Sequence, residues 1–235
     1  MTDNEIEVSG ATLAGIELFS DMNTEERNGI AKMCRGHRYQ ANELIVSYLD
    51  NTGDVFFIVS GIVRVTIYSK SGKEITFRDI PAGHMFGELS AIDGKPRSAH
   101  VIALDKSSIV FVSTDVFWEL LSDYPDFARK TLIYLANLVR LLSDRVVEFS
   151  TLGVKNRIHA ELLRLGRDGE CNGNSVVICP APTHSEIANR VSTHREAVTR
   201  EMGILTGQGI IRKKGKSLII HDLERLEKIV FQIEK

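Results

Sequence analysis

Hydrophobic and polar positions change rhythm three times along the chain. Over residues 37–113, stretches such as VFFIVSG, IVRVTIY and EITFRDI are rich in β-branched and aromatic residues and partly alternate, which predicts strands. Gly61, Gly72, Gly83 and Gly94 recur every eleven residues among them. That spacing fits a strand plus a turn repeated several times, as in a small antiparallel barrel or jelly roll.

The rhythm then becomes helical over about residues 127–149. Pro125 marks the start, since proline fits a first helical turn but not a helix interior. Ala128, Leu132, Leu135, Val139, Leu142, Val146 and Phe149 follow in alternating steps of four and three, an a/d heptad seam. With Arg140, Asp144, Arg145 and Glu148 between them, three heptads in register predict a homodimer through residues 128–149. Thr151-Leu152-Gly153 reads as a hinge.

From residue 154 onward KNRIHAELLRLGRD is an amphipathic helix, SVVICPAP a strand ended by prolines, and GIIRKKGKSLIIHD a hairpin with a basic turn. Between them THSEIANRVSTHREAVTREMGIL carries a Thr-x-x-Glu pattern twice, at Thr183 to Glu186 and at Thr193 to Glu196. Each predicts a capping box at a helix start, so two short helices meet at a tight break near Ser192. Such short helices are stable only when packed. Ile187, Ala188 and Val191 supply the inner face of the first, with small Ala188 permitting a close crossing. Ala197, Val198 and Met202 supply that of the second. Arg195, Glu196, Thr199 and Arg200 then face outward. Arginine donates to guanine O6 and N7 and glutamate accepts from cytosine N4, so this is the surface of a helix-turn-helix reading double-stranded DNA. Thr183, Ser185, Thr193 and His194 lie at the helix starts beside it. Lys213, Lys214 and Lys216 of the hairpin fit phosphate contacts, which position without specifying sequence.

Composition narrows the classes. The 235 residues are 43% hydrophobic and 26% charged, ordinary for a globular chain. No apolar run approaches the roughly 18 residues of a membrane helix, and the acidic N-terminus does not resemble a signal peptide, so no membrane partner and a cytoplasmic location are expected. Cys34, Cys171 and Cys179 are scattered without zinc-site spacing, which favours reduced structural thiols and no metal. The net charge of −2 hides an asymmetry: residues 153–235 hold 14 basic and 10 acidic side chains, against 15 and 21 in residues 1–152. Any nucleic acid is expected at the C-terminal side. No nucleophile–base constellation, metal-ligand cluster or P-loop is present, so an enzyme is not expected.

The stretch GELSAIDGKPRSAHV, residues 87–101, interrupts the strand pattern and sets Glu88, Arg97 and Ser98 close together. With Phe86-Gly87-Glu88-Leu89, Pro96-Arg97-Ser98-Ala99, the heptad helix and Arg195-Glu196-x-Val198-x-Arg200 in this order, the chain resembles the cAMP receptor protein / fumarate-nitrate regulator family of bacterial transcription factors over nearly its whole length. The resemblance implies an α+β fold. An antiparallel β-roll (jelly roll) for cyclic nucleotides would occupy residues 1–125, a dimerisation helix and hinge 126–152, and a winged helix-turn-helix 153–235.

It also implies site roles. Arg97 would pair with the phosphate of a cyclic nucleotide, aided by backbone amides and the Ser98 hydroxyl. Glu88 would accept the ribose 2′-OH and help orient Arg97. Gly87 would allow close backbone approach, Leu89 and Ser90 would follow in the same turn, and Val65 would line the base pocket. Adjacent Thr-Ser residues contact adenine in relatives; Leu142 and Ser143 stand there. The resemblance implies cAMP as the allosteric ligand; because leucine cannot hydrogen-bond the adenine amino group, cGMP is expected as a second. The resemblance further implies allosteric binding to an inverted-repeat, TGTGA-like operator and contact with RNA polymerase, with residues 167–174 as one candidate surface. The same fold with another effector, or effector-independent DNA binding, is the alternative. Without an N-terminal cysteine cluster, and with His84 and His100 isolated, neither an iron–sulfur cluster nor haem is expected.

Overall fold

A computed structural model describes residues 4–167 and 169–231. The chain divides into two compact units, Met1–Leu138 and Val139–Lys235.

The first unit opens with α1 (Gly10–Leu13), a short 3₁₀ turn (Glu17–Phe19) and α2 (Thr24–Ala31). Strands β1 (Arg35–Tyr39), β2 (Leu44–Val46), β3 (Val55–Ser60), β4 (Ile62–Tyr68), β5 (Glu74–Pro81) and β6 (Met85–Phe86) follow. Then come α3 (Glu88–Asp93), β7 (His100–Ala103), β8 (Ser107–Val112) and α4 (Thr114–Asp123). The strands form two antiparallel sheets, ordered β1-β8-β3-β6 and β2-β7-β4-β5. Gly61, Gly72, Gly83 and Gly94 all take positive φ, between 68° and 90°. The eleven-residue recurrence is therefore a recurrence of left-handed turns, which glycine enters without a Cβ clash.

An aromatic cluster closes this unit. The Phe19 ring lies 5.0 Å from Phe57 and 5.3 Å from Phe127, and Phe117 lies 6.0 Å from Phe127. Phe127 belongs to the first turn of α5 (Pro125–Thr151), so the long helix starts anchored in the β-roll core. Further along α5 the heptad seam is uncovered, with Leu132, Val139 and Val146 each more than 60% exposed. Among the described residues no helix is long and apolar enough to cross a membrane.

The second unit contains the C-terminal part of α5, then α6 (Val154–Arg167), β9 (Glu170–Asn172), β10 (Ser175–Ile178), α7 (His184–Arg190), α8 (Arg195–Gly207), β11 (Ile211–Lys214), β12 (Ser217–Ile220) and α9 (Leu223–Phe231). The sheet order is β11-β12-β10-β9, all antiparallel. The stretch 167–174, named above as a candidate surface, carries the end of α6 and the β9 strand, and its residue 168 lies outside the described residues. Ile158, Leu162, Ile187, Val198, Leu205 and Ile220 fill the core.

The two-residue interruption between α5 and α6 is bracketed by charge. Glu161 of α6 is fully buried and meets three guanidinium groups: Arg145 of α5 at 2.9 Å, Arg190 of α7 at 3.4 Å, and Arg164 of its own helix. Arg164 also reaches Glu148 of α5, and the Arg157 guanidinium lies over the Phe149 ring at 5.1 Å. The expected hinge is thus spanned on both sides by contacts within one unit. Removing one member of such a network strands the others: Glu161→Ala should cost about 3–5 kcal/mol. In urea the far-UV circular dichroism transition should move to lower concentration. Emission from Trp118, the one tryptophan, reports the N-terminal unit and should keep its midpoint.

Candidate functional site

The β6 strand ends at Phe86, and the chain turns at Gly87 with φ 84° to enter α3. A side chain at Gly87 would place a Cβ 2.9 Å from Nη1 of Arg97 and from the Asp54 carbonyl, so glycine is required by space as well as by φ. Gly87 serves as the N-cap of α3, which aims Glu88 inward: Glu88 is 3% exposed and Ser90 is also buried, while Leu89 and Ser98 are exposed.

Arg97 is 2% exposed, an unusual place for a guanidinium. Its Nε donates to Thr52 Oγ1 at 2.9 Å, Nη1 to the Gly87 carbonyl at 2.8 Å and Nη2 to the Asp54 carbonyl at 2.9 Å. Phe56 stacks beneath it, 5.6 Å from ring centroid to Cζ. Main-chain bonds from Leu49 N to Arg97 O and from Arg97 N to Asp50 O complete the attachment. Arg97 is therefore oriented by the loop between β2 and β3 and by the Gly87 turn. Among the described residues the Glu88 carboxylate makes no hydrogen bond to Arg97 and acts on it through charge; the acceptors that orient the guanidinium are Thr52 Oγ1 and the Asp54 and Gly87 carbonyls. Three of five N–H groups are engaged by protein, which leaves two for an anion.

Glu88 has different neighbours. Burial pushes its carboxyl above the ordinary range, opposed by its own backbone amide and by the charges of Arg78 and Arg97. Arg78 of β5 hydrogen-bonds the Tyr134 hydroxyl, and that hydroxyl donates to the Met85 carbonyl at 2.8 Å. Burial, with the Glu88 charge, pushes the Tyr134 phenol up to about 12, so it stays a neutral donor. Val65 pairs across the sheet with both Arg78 and Val101 and is part of the same face as Arg78. Thr52, Asp54, Arg78 and Tyr134 were not legible as site residues, being far in sequence from residues 87–98.

Leu142 and Ser143 belong to the C-terminal unit. Leu142 is 45% exposed on the heptad seam, and the Ser143 hydroxyl donates to the Val139 carbonyl at 2.9 Å. His84 and His100 have structural partners. His84 Nδ1 lies 3.2 Å from the Ala82 carbonyl, and His100 Nδ1 accepts from the Tyr48 amide at 3.1 Å. Among the described residues no group of His, Cys, Asp or Glu is arranged for a metal.

In the second unit α7 and α8 form a helix-turn-helix. Thr183 caps α7 with Glu186 in the expected box, and Ser192 turns the chain with φ 53°. The second box does not form. Thr193 is buried and its amide bonds the Ala188 carbonyl at 3.0 Å, so the cap falls one residue later, on His194, without a side-chain hydrogen bond. Arg195, Glu196, Thr199 and Arg200 are exposed, while Val198, Met202 and Leu205 are buried. Lys213 and Lys214 on β11 and Lys216 in its turn are exposed, as are Ser185 and His194. His184, absent from the residues singled out in sequence, bridges the helices: its Nδ1 lies 2.8 Å from Thr199 Oγ1. Burial, then the charges of Arg195 and Lys213, holds its pKa down. Beneath, His159 of α6 meets Glu201 of α8 at 2.7 Å, both buried.

Residues 36–124 match the family model of a cyclic nucleotide-binding domain, and residues 156–229 that of a Crp-like helix-turn-helix domain. The chain is 29% identical over 173 residues to the CRP-like cAMP-activated global transcriptional regulator of Mycobacterium tuberculosis, covering 73% of this chain and 77% of that protein. It is 26% identical over 189 residues to the cAMP-activated global transcriptional regulator CRP of Escherichia coli, covering 80% and 90%. In fold it is similar to a CooA mutant from Carboxydothermus hydrogenoformans (TM-score 0.80, 22% identity, 91% and 95% coverage). FixK2 from Bradyrhizobium japonicum is a second fold relative (0.74, 19%, 86% and 99%).

The Gly87 turn yields a local prediction. Gly87→Ala adds a left-handed strain of about 1 kcal/mol and pushes on Arg97, so calorimetry should show cyclic-nucleotide affinity reduced about tenfold or more. Wild-type affinity in this variant would contradict the close approach described.

Proposed function

The chain belongs to the CRP/FNR family of transcription regulators, and on that premise we propose that it is a homodimer whose binding of cAMP or cGMP raises its affinity for an inverted-repeat operator. The observation that carries this reading is a buried arginine beside a buried glutamate at a left-handed glycine turn, within a chain that also exposes Arg195, Glu196 and Arg200 on a recognition helix.

A cyclic nucleotide presents one phosphodiester anion and one 2′-OH. Arg97 answers the first with its remaining N–H groups and Ser98 with an exposed hydroxyl; Glu88, with Gly87, Leu89 and Ser90 in the same turn, answers the second. Val65 is assigned to the base. The assignment of Leu142 and Ser143 to the base rests on the resemblance alone. With leucine at the first of these positions the adenine amino group loses a partner, which leaves cGMP as a ligand beside cAMP. We assign residues 1–125, 126–152 and 153–235 to nucleotide binding, dimerisation and DNA binding.

The seam from Ala128 to Phe149, exposed at Leu132, Val139, Leu142, Val146 and Phe149, supports dimerisation, since a row of apolar side chains at heptad spacing gains most by pairing with its copy. Two-fold symmetry then requires half-sites about one helical turn, roughly 34 Å, apart. Arg195, Glu196 and Arg200 are assigned to the bases of a TGTGA-like half-site. Thr183, Ser185, His194, Thr199, Lys213, Lys214 and Lys216 are assigned to positioning on DNA; Thr193, expected among them, is not, because its side chain is buried and its amide is bonded to the Ala188 carbonyl. RNA polymerase is assigned as the downstream partner. Nucleotide and DNA both favour one conformation, so each strengthens the other's binding by the same factor.

Two outcomes test this reading. Arg97→Ala should lower cAMP and cGMP affinity alike, by about a hundredfold, in titration calorimetry, since a charge-assisted phosphate contact is worth about 2–3 kcal/mol. Undiminished binding would remove Arg97 from the phosphate. Arg200→Ala should flatten the guanine preference at one half-site position, a change of about 1–3 kcal/mol in base discrimination read by competition with single-base operator variants.

A further inference from the structure

The loop between β2 and β3 holds Arg97 by four hydrogen bonds, and only one of them ends on a side chain. Leu49 N, Asp50 O and Asp54 O are main-chain groups; the fourth is the Thr52 hydroxyl, 2.9 Å from Arg97 Nε. Leu49 adopts φ 65°, a conformation rare for leucine, to deliver its amide to the Arg97 carbonyl. The loop is thus shaped around Arg97.

We propose that Thr52 is a positioning residue for cyclic-nucleotide binding: its hydroxyl fixes the plane of the Arg97 guanidinium so that the two uncommitted N–H groups meet the phosphate. This rests on the assignment of Arg97 to the phosphate. Nε is the inner donor of the fork, and once it is held the guanidinium cannot turn about its last bonds. The Gly87 and Asp54 carbonyls then take one N–H from each terminal nitrogen. An anion therefore meets a preset donor pair and does not itself have to order a long side chain, which is what makes preorganised sites bind more tightly. Without the hydroxyl, Nε is buried without an acceptor, and the guanidinium must turn to satisfy it, carrying the phosphate-facing donors with it. Thr52 is itself exposed, so its replacement leaves the core intact.

The test is titration calorimetry of the full chain with cAMP and with cGMP. It compares wild type, Thr52→Val, Thr52→Ala, Thr52→Ser, Arg97→Lys, and Thr52→Val combined with Arg97→Lys, with unfolding midpoints measured alongside. Thr52→Val and Thr52→Ala should both weaken the two nucleotides about tenfold and equally, because the phosphate is common to both. Thr52→Ser, which keeps the hydroxyl, should recover wild-type affinity to within about twofold. Lysine has no Nε–H to hold, so Thr52→Val should cost less than about twofold on the Arg97→Lys background. Unchanged affinity in Thr52→Val and Thr52→Ala would overturn the proposal, as would failure of Thr52→Ser to recover binding or an equal loss on the Arg97→Lys background. Those results leave the nucleotide reading standing. A wild-type protein that binds neither nucleotide would overturn both.

Discussion

A guanidinium cannot be taken out of water unless acceptors meet it, and this constraint organises the N-terminal unit. Arg97 is buried because three acceptors and an aromatic ring are in place: Thr52, Asp54 and Gly87 around its edge, Phe56 beneath. Those acceptors exist because β3 and β6 pair, Phe56 opposite Phe86, bringing the loop before β3 to the turn after β6. Replacing Gly87 or straightening the Thr52 loop removes the reason for Arg97 to be there. A cationic group held in this way is preset for an anion, which free arginines at a surface are not.

A second buried charge organises the C-terminal unit. Glu161 joins α5, α6 and α7 through Arg145, Arg164 and Arg190. A network of this kind is weak evidence for stability, but its members come from three different helices of one unit. Here it ties the last turns of α5 to the first helix of the helix-turn-helix across the break at residues 152–153. His159 and Glu201 do the same between α6 and the recognition helix. The last turns of α5 are therefore tied to α7 by salt bridges as well as by main chain.

The sequence made legible the parts with local signals: the strands by their alternation, the long helix by its heptads, the α7 cap by Thr183 and Glu186, and the recognition face by its polar stripe. The stretch after β6 was visible because Gly87, Glu88, Arg97 and Ser98 stand within twelve residues. What was not legible depends on tertiary pairing. Thr52 and Asp54 sit in an ordinary turn-forming stretch, and only the β3–β6 pairing puts them on Arg97. The second capping box had the right letters, but burial of Thr193 against Ala188 moved the cap to His194. Glu161 did leave a trace: it falls on the apolar face of α6, between Ile158 and Leu162, where a charge requires partners.

We propose that a single conformational equilibrium couples nucleotide binding in one unit to DNA binding in the other. The most direct measurement is fluorescence anisotropy of a labelled inverted TGTGA duplex, titrated with the protein at fixed salt, without nucleotide and with saturating cAMP or cGMP. A scrambled duplex serves as reference. The account predicts that at least one nucleotide tightens binding to the repeat at least about fivefold, with a much smaller change on the scrambled duplex. Equal affinity for the repeat with and without nucleotide, in protein that calorimetry shows to be nucleotide-bound, would contradict it.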